Sequence, residues 1–254
     1  MTLGRMNASA NPWQVQIQGW GSDLEHLARH FESQPVRVVR GERDGGFVYE
    51  SDAFATCSTS EEVLAIAEKE LCVLSGVLKL SRGSHELLRT GAVYKRNAAG
   101  GRDVFVQLRD TLQIRAEVGD VTVTVTDSQG NVVTKPPPPP RTIAIARLAL
   151  TDATVAKAMR LLSAADSQTW VGLYRIYEVV EADVGGEPAL KTRGWGSSGD
   201  LKRFKHSANS VTVAGDAARH GKESTFPPAN PMSPEEAVAY VNYVVSAWLA
   251  SKGA

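Results

Sequence analysis

The sequence predicts an α+β protein: an antiparallel, mixed α+β N-terminal domain followed by a C-terminal all-α helix bundle. Three observations predict it. Strand-like alternation interrupted by short capped helices fills the first half. An unbroken proline run, Pro136 to Pro140, then breaks the chain. Beyond that run the apolar residues recur at helical spacing. The implied boundaries are 1–134 for the α+β domain, 135–141 for a proline-rich linker and 142–254 for the bundle.

The first strand is Trp13 to Gln18, where Trp13, Val15 and Ile17 share one face. Ser22 and Glu25 have capping-box spacing and open a short helix carrying Leu24, Leu27, Ala28 and Phe31. Val36 and Val38 mark a strand, Arg43 to Gly46 a hairpin turn, and Phe47 to Tyr49 the return strand. Thr59 and Glu62 form a second capping box, opening a helix over about 60–74 that Gly76 closes. Strands follow at Val77–Leu80, Ala92–Lys95, Val104–Leu108, Leu112–Val118 and Val121–Thr126, the last ending in the turn Asp127–Asn131. Prolines lack an amide donor and favour the extended polyproline conformation. The run at 136–140 therefore reads as a semi-rigid spacer, or as a polyproline ligand flanked by Lys135 and Arg141.

In the second half, Ile143 to Leu150 begin a helix, and Thr151-Asp152 restart it with Val155, Met159 and Leu162 inside. Helices over about 169–183 and 198–210 follow. Ser233-Pro234-Glu235-Glu236 opens the last one with a third capping box. Antiparallel packing of such helices makes a bundle.

Composition excludes some functions and leaves others open. Lys+Arg and Asp+Glu both number 28, so net charge points to no class of partner. No apolar run approaches the ~20 residues that span a bilayer, and no secretory signal opens the chain. Cys57 and Cys72 fit no metal or redox spacing and read as free thiols in a reducing compartment. The expected location is the cytoplasm.

Local charge is more informative. Between Lys191 and Lys222 seven cations stand against Asp200 and Asp216, with Trp195 and Phe204 interleaved. Basic side chains beside aromatics suit a phosphate backbone with exposed bases. His206 and Asn209, three residues apart, share a helix face. Small residues then carry Asp216, Arg219 and His220. Arginine grips a phosphate through two N–H groups at once, and an imidazole moves a proton during 2′-hydroxyl attack. His220 and Arg219 are thus the expected catalytic pair. His206, Asn209, Asp216, Arg203 and Lys202 are expected to bind the ligand. The bland alternatives are a solvated helix face, an Asp216–Arg219 helix salt bridge, and Gly221 as a C-cap.

The stretches Trp170–Glu181 (WVGLYRIYEVVE) and His206–Gly221 (HSANSVTVAGDAARHG) make the bundle resemble the HEPN family. Its members include metal-independent ribonucleases of toxin and antiviral systems. The family motif pairs an arginine with a histidine a few residues on. Here Arg219 and His220 are adjacent, and these two alone are carried over as counterparts. The resemblance implies a helical fold, RNA cleavage without metal or organic cofactor, and a site shared across a homodimer.

Other patterns are weaker. His26 and His30 sit at metal-ligand spacing on a helix but lack the metalloprotease glutamate, and read as surface residues. Gly194 to Gly199 is glycine-rich before a helix but lacks a P-loop lysine, and reads as an interhelical loop. Two functions remain. One is an RNA- or phosphate-binding protein, a metal-independent ribonuclease of bacterial defence or toxin type. The other is a non-catalytic protein-interaction module with a structural polar network, in which the N-terminal sheet also offers a surface to a partner.

Overall fold

The structure, a computed structural model, describes residues 11–33, 35–41, 46–97, 101–106, 140–219 and 227–254. It has two compact units. The first comprises Met1–Leu71 with Glu86–Pro140, the second Cys72–His85 with Arg141–Ala254. One division falls at the proline run, one inside a helix and one just after that helix, so residues 72–85 belong to the helical unit. The expected strands at 112–118 and 121–126, the turns at 43–45 and 127–131, and Pro136 to Pro139 lie outside the described residues.

The first unit is built on one antiparallel sheet. Its strands are β1 (Trp13–Gln18), β2 (Val36–Arg40), β3 (Phe47–Ser51), β4 (Arg89–Arg96) and β5 (Arg102–Phe105), in the order β2-β3-β1-β4-β5. The alternation in β1 places Trp13, Val15 and Ile17 in the core. Val15 pairs Tyr49 on one side and Val93 on the other. Between Val15 and Ile17 the register with β4 shifts. Gln16 fills the irregularity: its Oε1 accepts from the Ala92 amide at 3.3 Å. A Cβ on Gly91 would lie 2.7 Å from that oxygen, so in this conformation the side chain lies close against the glycine backbone.

Helix α1 (Gly21–His30) differs from expectation at its start. It begins two residues early, so Ser22 is inside the helix and makes no capping box. The Trp20 carbonyl accepts the amides of Asp23 and Leu24 instead. At the other end the Phe31 carbonyl accepts the Val38 amide at 3.0 Å, covering part of the β2 edge. His26 is buried, not at the surface as expected, and its ring stands 4.8 Å from that of His30.

Helix α2 (Ser60–Arg82) opens on the Thr59–Glu62 capping box, both bonds being 3.3 Å. It does not stop at Gly76, and Val77–Leu80 is helix rather than strand. Gly83, at φ 71°, ends it. Gly76 has another role. A Cβ there would lie 1.9 Å from the Met159 carbonyl oxygen and 2.6 Å from its carbon. The glycine marks a backbone-to-backbone helix crossing within the second unit, which sequence punctuation alone reads as a stop. Near the crossing, Lys79 donates to Ser167 Oγ at 2.7 Å, and the Ser81 and Thr142 hydroxyls meet at 3.0 Å.

The second unit continues with α3 (Arg141–Thr151), α4 (Ala153–Ser163), α5 (Trp170–Asp183), α6 (Glu187–Thr192), α7 (Ser198–Asn209), α8 (Val211–Ala214) and α9 (Pro234–Ser251). Side-chain caps start most of the long ones: Asp152 for α4, Thr169 for α5, Ser197 for α7 and the Ser233–Glu236 box for α9. Helix α6 was not foreseen, because six residues with only Leu190 buried show no apolar period. Helix α5 packs against α4, α7 and α9 and forms the centre of the bundle. Gly172 lets it begin close to the preceding turn: a Cβ there would be 2.0 Å from the Asp166 carbonyl oxygen. At the far end Lys252 bridges Asp152 at 2.8 Å and Asp183 at 2.9 Å, while Trp248 Nε1 donates to Asp183 at 2.8 Å. The chain is thus α+β, with an antiparallel N-terminal sheet and a mostly helical C-terminal part. Among the described residues no helix is long and apolar enough to cross a membrane.

Candidate functional site

The polar cluster is organised by the face of α5 that carries Tyr174, Tyr177, Glu178 and Glu181. Tyrosine and glutamate four residues apart lie one above the other on a helix. The pattern occurs twice, as Tyr174–Glu178 and Tyr177–Glu181. Each pair seats one cation from the basic segment.

Arg219 occupies the first seat. Its guanidinium lies 3.9 Å from the Tyr174 ring centroid and donates to Glu178 at 2.5 Å. Its backbone amide donates to the Ala208 carbonyl at 2.8 Å, folding the segment after α8 back onto the end of α7. Lys205 occupies the second seat, 5.2 Å from the Tyr177 ring, with Glu181 at 2.9 Å and Glu187 at 2.7 Å. Burial works against the Lys205 ammonium, yet hydrogen bonds to Glu187 and Glu181 hold its pKa above the ordinary lysine value. Beneath the seats Phe204 is fully buried, its ring centroid 5.5–5.7 Å from those of Tyr174, Tyr177 and Tyr240.

The remaining expected ligand-binding residues diverge. Arg203 donates to the Asn230 and Pro231 carbonyls at 3.0 and 3.2 Å and to Glu236 at 3.0 Å, tying α7 to the start of α9. Asp200 is 3.6 Å from it. Lys202 is exposed. Asp216 is exposed on a 3-10 turn over Gly215–Ala217, so the Asp216–Arg219 helix pair gives way to Glu178. His206 and Asn209 sit half-buried in the last turns of α7. Asn209 Oδ1, an acceptor, and the neighbouring Ser210 hydroxyl, a donor and acceptor, are buried and meet no hydrogen-bond partner among the described residues. His220, Gly221 and Lys222 lie outside the described residues. The structure therefore brings Arg219 beside the end of α7, while Arg203 is held at a different place by a different loop.

Sequence reasoning missed the carboxylate half of the cluster. Within 191–222 the cations outnumber the acids. Glu178, Glu181 and Glu236 lie outside that window, and helix packing delivers them. The legible signal was the doubled Tyr-x-x-x-Glu spacing in α5.

Glu187 carries a pH signature. Hydrogen bonds from Lys191 and then Lys205 hold its carboxyl down at about 2, against an ordinary 4.5. A depressed acid binds fewer protons folded than unfolded, so its stabilisation is present above 4.5 and is lost as pH falls toward 2. We expect Glu187→Gln to melt at a lower temperature than wild type at neutral pH. The difference should shrink steadily below pH 4.5, read by thermal denaturation at a series of pH values.

The glycine-rich turn before α7 is not an anion cradle. Ser197 Oγ caps the helix by accepting the Asp200 amide at 2.9 Å and donates to the Asp200 carboxylate at 2.8 Å. A side-chain anion already sits at that helix start. Cys57 and Cys72 are free. Among the described residues no group of three or more His, Cys, Asp or Glu side chains is placed to hold a metal, and His26 with His30 gains no third ligand. No protein-family model, curated protein or solved structure matches the chain.

Proposed function

We propose that the chain is a non-catalytic protein-interaction module, and that the polar cluster of its helical unit is a structural network. The observation that carries this reading is the double seat on α5. The two cations best suited to grip a phosphate deep in the cluster, Arg219 and Lys205, are already shared between a tyrosine face and one or two carboxylates. A phosphate would have to displace Glu178 or Glu181, and bring its own charge close to the displaced carboxylate. Arg203 is likewise satisfied by two carbonyls and Glu236. In the first unit, Val104, Phe105 and Val106 are 55%, 40% and 66% exposed at the β5 side of the sheet, which supports a partner-facing sheet.

One observation favours the second reading, an RNA-binding protein or metal-independent ribonuclease. Among the described residues Asn209 Oδ1 and the Ser210 hydroxyl meet no partner; the first calls for a donor and the second can give or accept a hydrogen bond, and a ribose 2′-hydroxyl would serve both. His206 and Lys202 on α7 would flank it, and Arg219 and His220 would act on the phosphate, in a homodimer if the HEPN resemblance extends to assembly.

Purified protein and labelled mixed RNA separate the two. We expect the RNA to stay intact and any binding to be weak, with a shallow dependence on salt. Cleavage that is lost in both Arg219→Ala and His220→Ala, with folding retained, would replace the first reading by the second.

A further inference from the structure

Between the glycine turn and α9 lies a second feature that the polar cluster does not use: an open groove of about 650 Å³ in the helical unit. Its walls combine flat backbone, aromatic rings and net negative charge. Gly194 and Gly196, at φ 68° and 89°, present no side chains on one side. A Cβ on Gly196 would lie 2.6 Å from the Tyr240 ring, so that turn rests directly against α9. Tyr240 and Tyr243 line the other side. They are three residues apart and share a helix face. Tyr243 is 53% exposed, the most exposed aromatic side chain among the described residues' large hydrophobics. Asp200, Glu236 and Arg203 stand at one end. The guanidinium is engaged by both carboxylates, so the trio carries one net negative charge.

We propose that this groove docks a proline-rich segment of a partner protein, flanked by a basic residue. The inference rests on the interaction-module reading and names its partner. A polyproline helix is pre-extended, so little conformational freedom is lost when it binds, and its rings pack on exposed aromatic faces. Its carbonyls have no internal donors and need them from the groove. The hydroxyls of Tyr240 and Tyr243 supply such donors. Burial, then the nearby carboxylates of Asp200, Glu187 and Glu181, hold the Tyr240 phenol well above its ordinary pKa, so it keeps its proton. The net negative end takes the basic flank, which sets the direction of the bound segment. An acidic segment would meet Asp200 and Glu236 and be rejected.

The test is fluorescence anisotropy with the full chain and three labelled probes: an oligoproline with arginine at each end, the same peptide with glutamate at each end, and mixed RNA. The arginine peptide is expected to bind saturably and the glutamate peptide at least about tenfold more weakly. Tyr243→Ala should weaken the arginine peptide by about tenfold. Asp200→Asn should weaken it by about threefold at low salt and less at high salt. Tyr243→Phe separates ring from hydroxyl and should retain most of the packing contribution. Absence of saturable binding, or equal binding by wild type and Tyr243→Ala, overturns the proposal. If the RNA also fails to bind, the interaction-module reading stands with another partner. If RNA binds steeply with falling salt, that reading falls as well.

Discussion

Gly76→Ala is expected to lower the stability of the helical unit by about 3 kcal/mol, despite improving helix propensity. Alanine favours a helix interior over glycine by about 1 kcal/mol. At an exposed helical site that gain would decide the outcome. At Gly76 the new methyl would sit 1.9 Å from the Met159 carbonyl oxygen and 2.6 Å from its carbon. Both atoms are backbone, so no side chain can rotate away. The helices must separate, and Leu78, Met159 and Ala158, all fully buried, would lose contacts together. A thermal melt should show the midpoint falling by roughly 6–12 °C. A midpoint equal to or above that of wild type would mean that α2 and α4 do not cross at this glycine.

Phe204→Ala is expected to cost about 3–5 kcal/mol. The ring is fully buried and is the common neighbour of Trp170, Tyr174, Tyr177 and Tyr240. Its removal leaves a cavity that four large rings cannot fill without leaving their rotamers. The loss should also reach the polar cluster, because Tyr174 and Tyr177 are the aromatic halves of the two cation seats. Urea unfolding should show a lower midpoint with an unchanged slope, and near-ultraviolet circular dichroism should weaken. Phe204→Leu restores much of the volume and is expected to recover about half of the loss. If both variants unfold like wild type, the aromatic cluster is not the centre of this bundle.

Much of the fold was legible because it depends on local signals. The Thr59–Glu62 and Ser233–Glu236 boxes and the Asp152 cap are written in neighbouring residues, and each forms. The β1 alternation likewise marks its buried face. What failed depends on distant residues. Gly76 reads as a stop until Met159 is opposite it. Ser22 has the spacing of a cap, but the chain turns at Trp20 first. The gathering of cations was legible, and the groups that answer their charge were not. Residues 200–219 are indeed where cations gather, but their charge is answered from α5 and α9, up to 41 residues away in sequence. A count of charges along a window cannot see a partner on a neighbouring helix. The Tyr-x-x-x-Glu repeat, read as a pair of seats, would have anticipated it.

The central claim is that Arg219 is spent on holding α5 to the end of α7. A double-mutant cycle on Arg219→Ala and Glu178→Ala, read as unfolding free energy, tests it most directly. Arg219→Ala is expected to lose about 1–2 kcal/mol, from the ion pair and the Tyr174 face together, and the two sites to couple by about 0.5–1 kcal/mol. Arg219→Ala as stable as wild type, with coupling indistinguishable from zero, would contradict that claim and leave the guanidinium available for a ligand.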